Sequence, residues 1–168
     1  MQCMSTALTW QVISTSSAET ERLGELFGRA LLPPALLELR ADLGGGKTTF
    51  VRGLARGSGS KDIVSSPTFT LTKTYKTKTG EINHFDFYRL NEPGVLRDQL
   101  EESLKDNQAI TVVEWSDIVK DVLPTERLSI DLAMTAQDSD ERQITVNYPE
   151  KLAGFMRKVE TQWEESRP

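Results

Sequence analysis

Between Leu36 and Phe50 the sequence reads LLELRADLGGGKTTF, in which a short apolar run is followed by three glycines and Lys-Thr-Thr. The apolar run, which ends at Arg40, has the length and composition of a short buried strand. Apolar side chains then recur at helical spacing and predict a helix over about Thr48–Arg56, ended by the glycines that follow. A strand, a glycine-rich loop and a helix in this order are typical of a phosphate-binding P-loop.

The residue types in this loop suit the phosphates of a nucleoside triphosphate. Glycines allow backbone N–H groups to approach phosphate oxygens, and the start of the following helix adds unpaired N–H groups and a positive dipole end. We expect Lys47 to reach the β- and γ-phosphates, and the hydroxyl of Thr48 to bind Mg²⁺. The predicted phosphate cradle comprises Gly44, Gly45, Gly46, Lys47, Thr48 and Thr49.

One position departs from the usual pattern Gly-x-x-x-x-Gly-Lys-[Ser/Thr], because Ala41 replaces the first glycine. Alanine is compatible with this position if its φ is negative, and Gly45 gives the loop freedom nearby. The competing interpretation is a glycine-rich turn that caps an ordinary helix. The run Gly-Gly-Gly-Lys-Thr-Thr directly after an apolar strand favours the phosphate loop.

The composition limits the class of protein. A chain of 168 residues predicts one domain over residues 1–168, with an N-terminal segment at about 1–13 and a C-terminal helix and tail from about 149. One cysteine, Cys3, and one histidine argue against a disulfide framework and against a His/Cys zinc site. A net charge of −5 argues against DNA binding, and the absence of an apolar stretch of about 18 residues predicts no membrane span and a cytoplasmic location.

The rest of the chain alternates helical and strand patterns. Period-two spacing on both sides of a polar turn at 76–80 predicts an antiparallel hairpin after the P-loop helix. Together the patterns predict an α/β domain with a mixed sheet. The remaining predicted elements are helices over Ser14–Leu32, Pro93–Leu104 and Pro149–Trp163, and strands over Ala109–Val113, Leu128–Met134 and Gln143–Val146.

A magnesium–nucleotide site also needs an acid at the end of a neighbouring buried strand. Glu114 directly follows the apolar run that ends at Val113, and we assign it as a ligand of the metal. The alternative is a surface charge at the end of a strand. Asp86 lies on a strand of alternating pattern, and we assign it to orienting the attacking water or to the metal's outer sphere. Its alternative is a structural ion pair with Arg89.

Three further features leave alternatives open. His84 fits a packing or hydrogen-bonding role better than a catalytic one. Trp115 suits either the core or a surface that meets the nucleotide or a partner. The segment Ser65–Thr68 fits either a turn that starts a strand or a segment whose hydroxyls sense the γ-phosphate.

Taken together, these segments closely resemble the TsaE family over about residues 14 to 146. The P-loop alone would fit many families, but its combination with the later motifs is specific. The matching pieces are Ala41–Phe50, Arg52-Gly53-Leu54, Ser66-Pro67-Thr68-Phe69-Thr70, Tyr75, His84-Phe85-Asp86-Phe87-Tyr88-Arg89-Leu90 and Val113-Glu114-Trp115-Ser116.

The resemblance implies an α/β P-loop NTPase fold with three layers, a mixed sheet and an antiparallel hairpin after the P-loop helix. It also implies an ATPase of bacterial tRNA threonylcarbamoyladenosine synthesis. Such a protein is expected to be slow alone and to act with TsaB and TsaD, which make the modified adenosine beside the anticodon. ATP binding would drive docking, hydrolysis would reset the complex, and contact with tRNA would be indirect, through the complex.

The resemblance also implies roles for individual residues. Thr48 and Glu114 resemble the magnesium ligands, and Lys47 and Asp86 the catalytic residues. Ser16 falls where the family contacts the nucleotide base, and Arg142 matches a late arginine near the nucleotide, its alternative being a solvated charge beside a turn.

Two other functions use the same loop. The first is a small-molecule or nucleoside kinase, against which stand the lack of an evident arginine-rich lid and the hairpin predicted where such kinases continue with parallel βαβ units. The second is an adaptor that senses the nucleotide without hydrolysing it.

Overall fold

The computed structural model describes residues 7–167, and Cys3 lies outside them. A single sheet of seven strands runs through this part of the chain in the order β1-β7-β6-β2-β5-β4-β3. Short 3₁₀ turns cover Ser116–Val119 and Glu150–Leu152. In chain order the elements are β1 (Leu8–Ser14), α1 (Ser17–Ala30), β2 (Ala35–Arg40), α2 (Lys47–Gly57), β3 (Thr72–Lys76), β4 (Glu81–Asp86), α3 (Gly94–Lys105), β5 (Ala109–Glu114), β6 (Leu128–Met134), β7 (Arg142–Tyr148) and α4 (Ala153–Glu165).

The parallel part of the sheet positions the glycine loop. β2 is parallel to β5 and β6, and β4 is parallel to β5. The register places Leu39 of β2 opposite Glu114, and Glu114 opposite Asp86. The carboxyl ends of three neighbouring strands therefore meet at the edge from which the loop begins, which is where ligands bind in open α/β sheets.

Helices cover the sheet on two faces, which gives three layers. On one face, α1, α2 and α4 pack through residues such as Phe27, Phe50 and Met156 against inward side chains of the central strands. On the other face, α3 packs through Leu96 and Leu100 against β4 and β5. The structure confirms the α/β three-layer fold with a mixed sheet and an antiparallel β3–β4 hairpin after α2.

Helices α1 and α2 lie side by side and run in the same direction, with glycines at their contact. A Cβ added to Gly24 or Gly28 of α1 would overlap backbone carbonyl oxygens of α2, and one added to Gly53 or Gly57 would overlap those of α1. The lack of side chains allows the two backbones to touch. This contact brings the start of α1 next to the start of the P-loop helix.

Gly53→Ala is expected to lower the free energy of unfolding by about 1–3 kcal/mol, because the helices must separate to admit the new methyl group. Gly154→Ala is the matched control, since a Cβ at Gly154 in α4 meets nothing within 4 Å. That control should leave stability unchanged or raise it by up to about 1 kcal/mol. Urea denaturation of both variants measures the difference, and equal stabilities would contradict the close helix contact.

Sequence reasoning missed β1, which had been placed in the N-terminal segment. In β1 only alternate side chains such as Trp10 and Val12 pack on the core, while Thr9 and Gln11 face outward, so the apolar signal is weak. The predicted helix over 14–32 begins later, at Ser17, because the Ser16 hydroxyl caps it by accepting the Glu19 N–H. The closing helix begins at Ala153 and not at Pro149, since a 3₁₀ turn precedes it.

Across residues 7–167, no helix has the combined length and apolar character that a membrane span requires.

Candidate active site

The glycine loop between β2 and α2 has a backbone that depends on its glycines. Gly44 and Gly46 have φ values of 75° and 99°, in the left-handed region that residues with a Cβ rarely adopt. A Cβ on Gly45 would lie 2.5 Å from the Cβ of Ala41. Among the described residues, positive φ outside glycine occurs only at Leu71, Trp115 and Asp138. Ala41 therefore meets the condition under which alanine can replace the first glycine of the motif.

A cavity of about 200 Å³ opens over this loop. Its wall combines the loop with the carboxyl ends of β4 and β5 and with the segment that precedes β3. Most of the residues predicted for the site thus share one cavity. They are Gly44, Gly45, Gly46, Lys47, Thr48, Thr49, Asp86, Glu114 and Trp115, and Leu43, Ser66 and Thr68 complete the wall.

Lys47 is buried at the floor of this cavity. Its Nζ donates hydrogen bonds to the carbonyl oxygens of Ala41 at 2.8 Å and Asp42 at 3.2 Å. The same Nζ lies 5.1 Å from the ring centroid of Trp115, within range of a cation–π interaction. Burial lowers the pKa of Lys47, and the nearby carboxylates, first that of Glu114, oppose this shift. The ammonium therefore lies in a partly dry site that favours a compensating negative charge.

Asp86 lies at the end of β4 with 1% of its surface exposed. Its Oδ2 accepts a hydrogen bond from the Thr68 hydroxyl at 2.8 Å, and its Oδ1 accepts the Tyr88 N–H at 2.9 Å. The alternative of an ion pair with Arg89 finds no support in the described residues, since the Arg89 guanidinium lies 4.4 Å from the centroid of the Phe69 ring. Asp86 is instead held between the loop cavity and the segment before β3.

Glu114 is 3% exposed and therefore is not a surface charge at a strand end. Its Oε1 lies 2.7 Å from Nε2 of His84, a fully buried residue on the neighbouring strand β4. His84 is thus a hydrogen-bonding partner of a predicted metal ligand. Sequence reasoning gave His84 a hydrogen-bonding role but did not identify Glu114 as its partner.

Arg142 and Ser16 lie outside the wall of this cavity. Arg142, at the start of β7, donates to the carbonyl oxygens of Gly45 at 3.1 Å and Gly44 at 3.3 Å, so it holds the loop from the side of β7. It is not a freely solvated charge. Ser16 caps α1 through its side chain, and its contact with a nucleotide base stays a prediction.

A comparison with protein families gives a match over most of the chain. The model described as threonylcarbamoyl adenosine biosynthesis protein TsaE matches residues 14–144. This chain belongs to the TsaE family. The match includes the glycine loop, Asp86, Glu114 and Arg142, so the resemblance seen in the sequence motifs is confirmed.

Individual TsaE proteins agree with this assignment. The chain is 38% identical to the tRNA threonylcarbamoyladenosine biosynthesis protein TsaE of Rickettsia bellii, over 84% of this chain and 98% of the relative. It is 36% identical to the protein of the same name from Bacillus subtilis, over 82% of this chain and 84% of the relative. The crystal structure of Bacillus subtilis YdiB superposes with a TM-score of 0.74 at 27% identity, covering 96% of this chain and 99% of that one.

The oxygens on the cavity wall are of the kind that a magnesium–nucleotide site uses. Mg²⁺ in such sites takes one or two oxygen ligands from the protein and the rest from phosphates and water. Thr48 and Glu114 supply two such oxygen donors on the same wall. No group of three or more His, Cys, Asp or Glu side chains arranged to hold a metal occurs between residues 7 and 167.

A partly buried ionic cluster that sequence reasoning missed lies next to Trp115 along the chain. The φ of Trp115 is +55°, and its ring lies 4.8 Å from that of Tyr88. The next residue, Ser116, donates a hydrogen bond to the fully buried Glu38, which also accepts one from Arg127 at 2.5 Å. Burial raises the pKa of Glu38, but the bonds from Arg127 and Ser116 outweigh it, so the pKa lies below its ordinary value. A lone carboxylate in the apolar strand around Glu38 is the signal that sequence reasoning overlooked.

Glu38→Gln is expected to lower the free energy of unfolding at pH 7 by about 3 kcal/mol, because it leaves the guanidinium of Arg127, whose side chain is only 15% exposed, without its counter-charge. Since the folded-state pKa of Glu38 is depressed, its contribution is complete above the unfolded value of about 4.5 and is lost as the pH falls below it. Urea denaturation between pH 7 and pH 3 should therefore show the variant and the wild type converging in acid. The control is Glu92→Gln, at an exposed position. Parallel profiles for wild type and Glu38→Gln would contradict the role of Glu38.

Proposed function

We propose that this chain binds ATP with Mg²⁺, hydrolyses it, and thereby serves tRNA threonylcarbamoyladenosine synthesis. In this proposal it drives the cycle of a TsaB–TsaD complex and does not perform the threonylcarbamoyl transfer itself. The observation that supports ATP hydrolysis best is the single cavity that joins the glycine loop to Asp86 and Glu114. The role in tRNA modification rests on the chain's membership of the TsaE family.

The chemistry assigned to each residue follows from its place on the cavity. The backbone N–H groups of Gly44–Thr49 would hold the phosphates, and the buried ammonium of Lys47 would offset the charge that develops on the β- and γ-phosphates. Mg²⁺, held by Thr48 and Glu114, would add positive charge beside the same oxygens. Asp86 would orient the attacking water, since each of its oxygens keeps a lone pair besides the bond that it already accepts.

The remaining predicted contacts surround this centre. The ring of Trp115 lies beside Lys47 on the wall of the cavity, where it would shield the phosphates from water. Arg142 would keep the loop in its phosphate-binding shape through the carbonyls of Gly44 and Gly45. Ser16 is assigned to the nucleotide base on the resemblance to the family alone.

One observation favours an ATPase over a small-molecule kinase. The segment after α2 forms the antiparallel β3–β4 hairpin, where such kinases usually continue with parallel βαβ units. Phosphate release without any acceptor, compared with phosphorylation of candidate nucleosides, separates the two functions. Transfer of the γ-phosphate to an acceptor at a rate above that of phosphate release would favour the kinase.

Co-purification tests the proposed partnership. The tagged chain is mixed with TsaB and TsaD, with and without MgATP, and the retained proteins are quantified. We expect TsaB and TsaD to be retained with MgATP and much less without it. Retention that is absent under both conditions would contradict the proposed cycle, and retention independent of nucleotide would contradict ATP-driven docking.

A further inference from the structure

His84 is the single histidine of the chain, and it lies fully buried beside Glu114. The register of the parallel strands places His84 opposite Val112, two residues before the pairing of Asp86 with Glu114. From there its Nε2 approaches Glu114 Oε1 at 2.7 Å. A side chain on β4 therefore reaches along the sheet toward a predicted metal ligand on β5.

The imidazole makes only this one hydrogen bond. Its Nδ1 is buried and has no hydrogen-bond partner among the described residues. Leaving a buried polar atom unpaired costs about 1–3 kcal/mol, so an apolar side chain would serve packing alone better than a histidine. On its other side the ring lies 6.5 Å from the ring of Tyr75, whose hydroxyl is fixed by the backbone carbonyl of Ser65. In the described part of the chain, Glu114 is thus the sole hydrogen-bond partner of this fully buried ring.

This contact distinguishes the two oxygens of the Glu114 carboxylate. Oε1 is engaged by His84, whereas Oε2 has no hydrogen-bond partner in the described part of the chain and is not among its buried unpartnered atoms. Glu114 also lines the cavity over the glycine loop. A carboxylate that binds Mg²⁺ only accepts hydrogen bonds, so in that role Glu114 takes this bond from the imidazole, with the proton on Nε2.

We propose that His84 is a positioning residue, whose Nε2–H holds Oε1 of Glu114 so that Oε2 faces the cavity and is available to Mg²⁺. The inference rests on the proposed function, because it gives Glu114 the metal role assigned there. His84 touches neither nucleotide nor metal in this account, and it acts only through Glu114.

Two amide variants test the inference, because they differ in where the replacement N–H lies. The amide nitrogen of His84→Gln can occupy the place of Nε2, whereas that of His84→Asn lies nearer the place of Nδ1. ATP affinity is measured by calorimetric titration, once with Mg²⁺ present and once with EDTA. The affinity with Mg²⁺ divided by the affinity with EDTA is the magnesium-dependent gain. Removing the partner of a metal-binding carboxylate typically weakens metal binding about 10–100-fold. We expect His84→Asn to lose about 10-fold or more of this gain, His84→Gln to retain most of it, and the affinities in EDTA to stay equal.

The outcomes separate this inference from the proposed function. If the wild type binds ATP no better with Mg²⁺ than with EDTA, both the metal role of Glu114 and the inference are overturned. If the wild type shows the gain and both variants keep it, or both lose it equally, the inference alone is overturned. Thermal unfolding of each variant checks that its fold is retained.

The unmodified protein provides a second test that no folding defect can obscure. Because the chain has one histidine, ¹⁵N-histidine labelling of a protein with a histidine-free tag gives a single set of imidazole signals. We expect a proton on Nε2 of the imidazole, and a change in its signals in Glu114→Gln. A proton on Nδ1, with none on Nε2, would overturn the proposal, since the ring could then not donate to Glu114.

Discussion

Lys47→Ala is expected to weaken ATP binding about 100-fold. The loss of one hydrogen bond between charged groups has an effect of this size when the site is shielded from water. Lys47 is buried in the cavity, and within residues 7–167 its Nζ contacts the carbonyl oxygens of Ala41 and Asp42 and the ring of Trp115. Burial lowers the pKa of this ammonium, and a phosphate would add negative charge that, like the nearby carboxylates of Glu114 and Asp86, favours its charged form. Fluorescence titration with a labelled ATP analogue measures the loss.

The matched control for Lys47→Ala is Lys61→Ala, which removes the same charge from an exposed position. Its affinity for ATP should equal that of the wild type. Lys47→Ala should also unfold within about 1 kcal/mol of the wild type, since it removes an ammonium whose burial is unfavourable. Unchanged ATP affinity in a folded Lys47→Ala would show that the glycine loop is not the phosphate site.

Glu114→Gln is expected to reduce magnesium-dependent phosphate release about 100-fold or more, because a neutral amide is a poor ligand for a hard cation. Asp86→Asn should reduce phosphate release by a similar factor but leave the affinity for MgATP within about 3-fold of the wild-type value. The reason is that a residue that orients water acts in the transition state and contributes little to ground-state binding. Measuring MgATP affinity and phosphate release for both variants separates the two roles.

The control for both carboxylate variants is Glu102→Gln on the exposed side of α3, which should match the wild type in affinity and in turnover. The opposite pattern, with magnesium dependence lost in Asp86→Asn and kept in Glu114→Gln, would transfer the metal role to Asp86. Full activity in both variants would contradict the assignment of either carboxylate.

The parts of this site that the sequence predicted are those fixed by local pattern or by strand direction. The loop, its strand and its helix lie within one continuous stretch, so their order can be read directly. Asp86 is the last residue of β4, and Glu114 is the last residue of β5. Because the two strands are parallel, their pairing places both carboxylates at the same edge of the sheet. Their meeting in one cavity followed from a general property of parallel sheets.

The parts that were missed depend on contacts between distant segments. β1 pairs with β7, so that Ser14 lies opposite Arg142, and nothing near β1 in the sequence signals this partner. The bond from Ser116 to Glu38 spans 78 positions and that from His84 to Glu114 spans 30. The strand register and the side-chain rotamers decide which buried side chains meet across a sheet. The pattern of apolar and polar residues in the sequence specifies neither the register nor the rotamers.

The structure also relates the helix packing to the site. The glycine contact between α1 and α2 places Thr20 beside the loop, with its methyl 3.8 Å from where a Cβ on Gly46 would lie. Arg142 holds the loop from the side of β7. The phosphate loop is therefore supported by α1 and by β7 in addition to its own strand and helix, which favours a preorganised cradle.

The central claim is that this chain hydrolyses ATP in order to drive a TsaB–TsaD complex. The most direct test is the rate of phosphate release from MgATP by the purified chain, measured alone and with TsaB and TsaD present. We expect slow release by the chain alone and a clear increase with both partners, with Glu114→Gln slower by about 100-fold or more under either condition. Bound ATP that persists without phosphate release, even with TsaB and TsaD, would contradict it and identify the chain as a nucleotide-sensing adaptor.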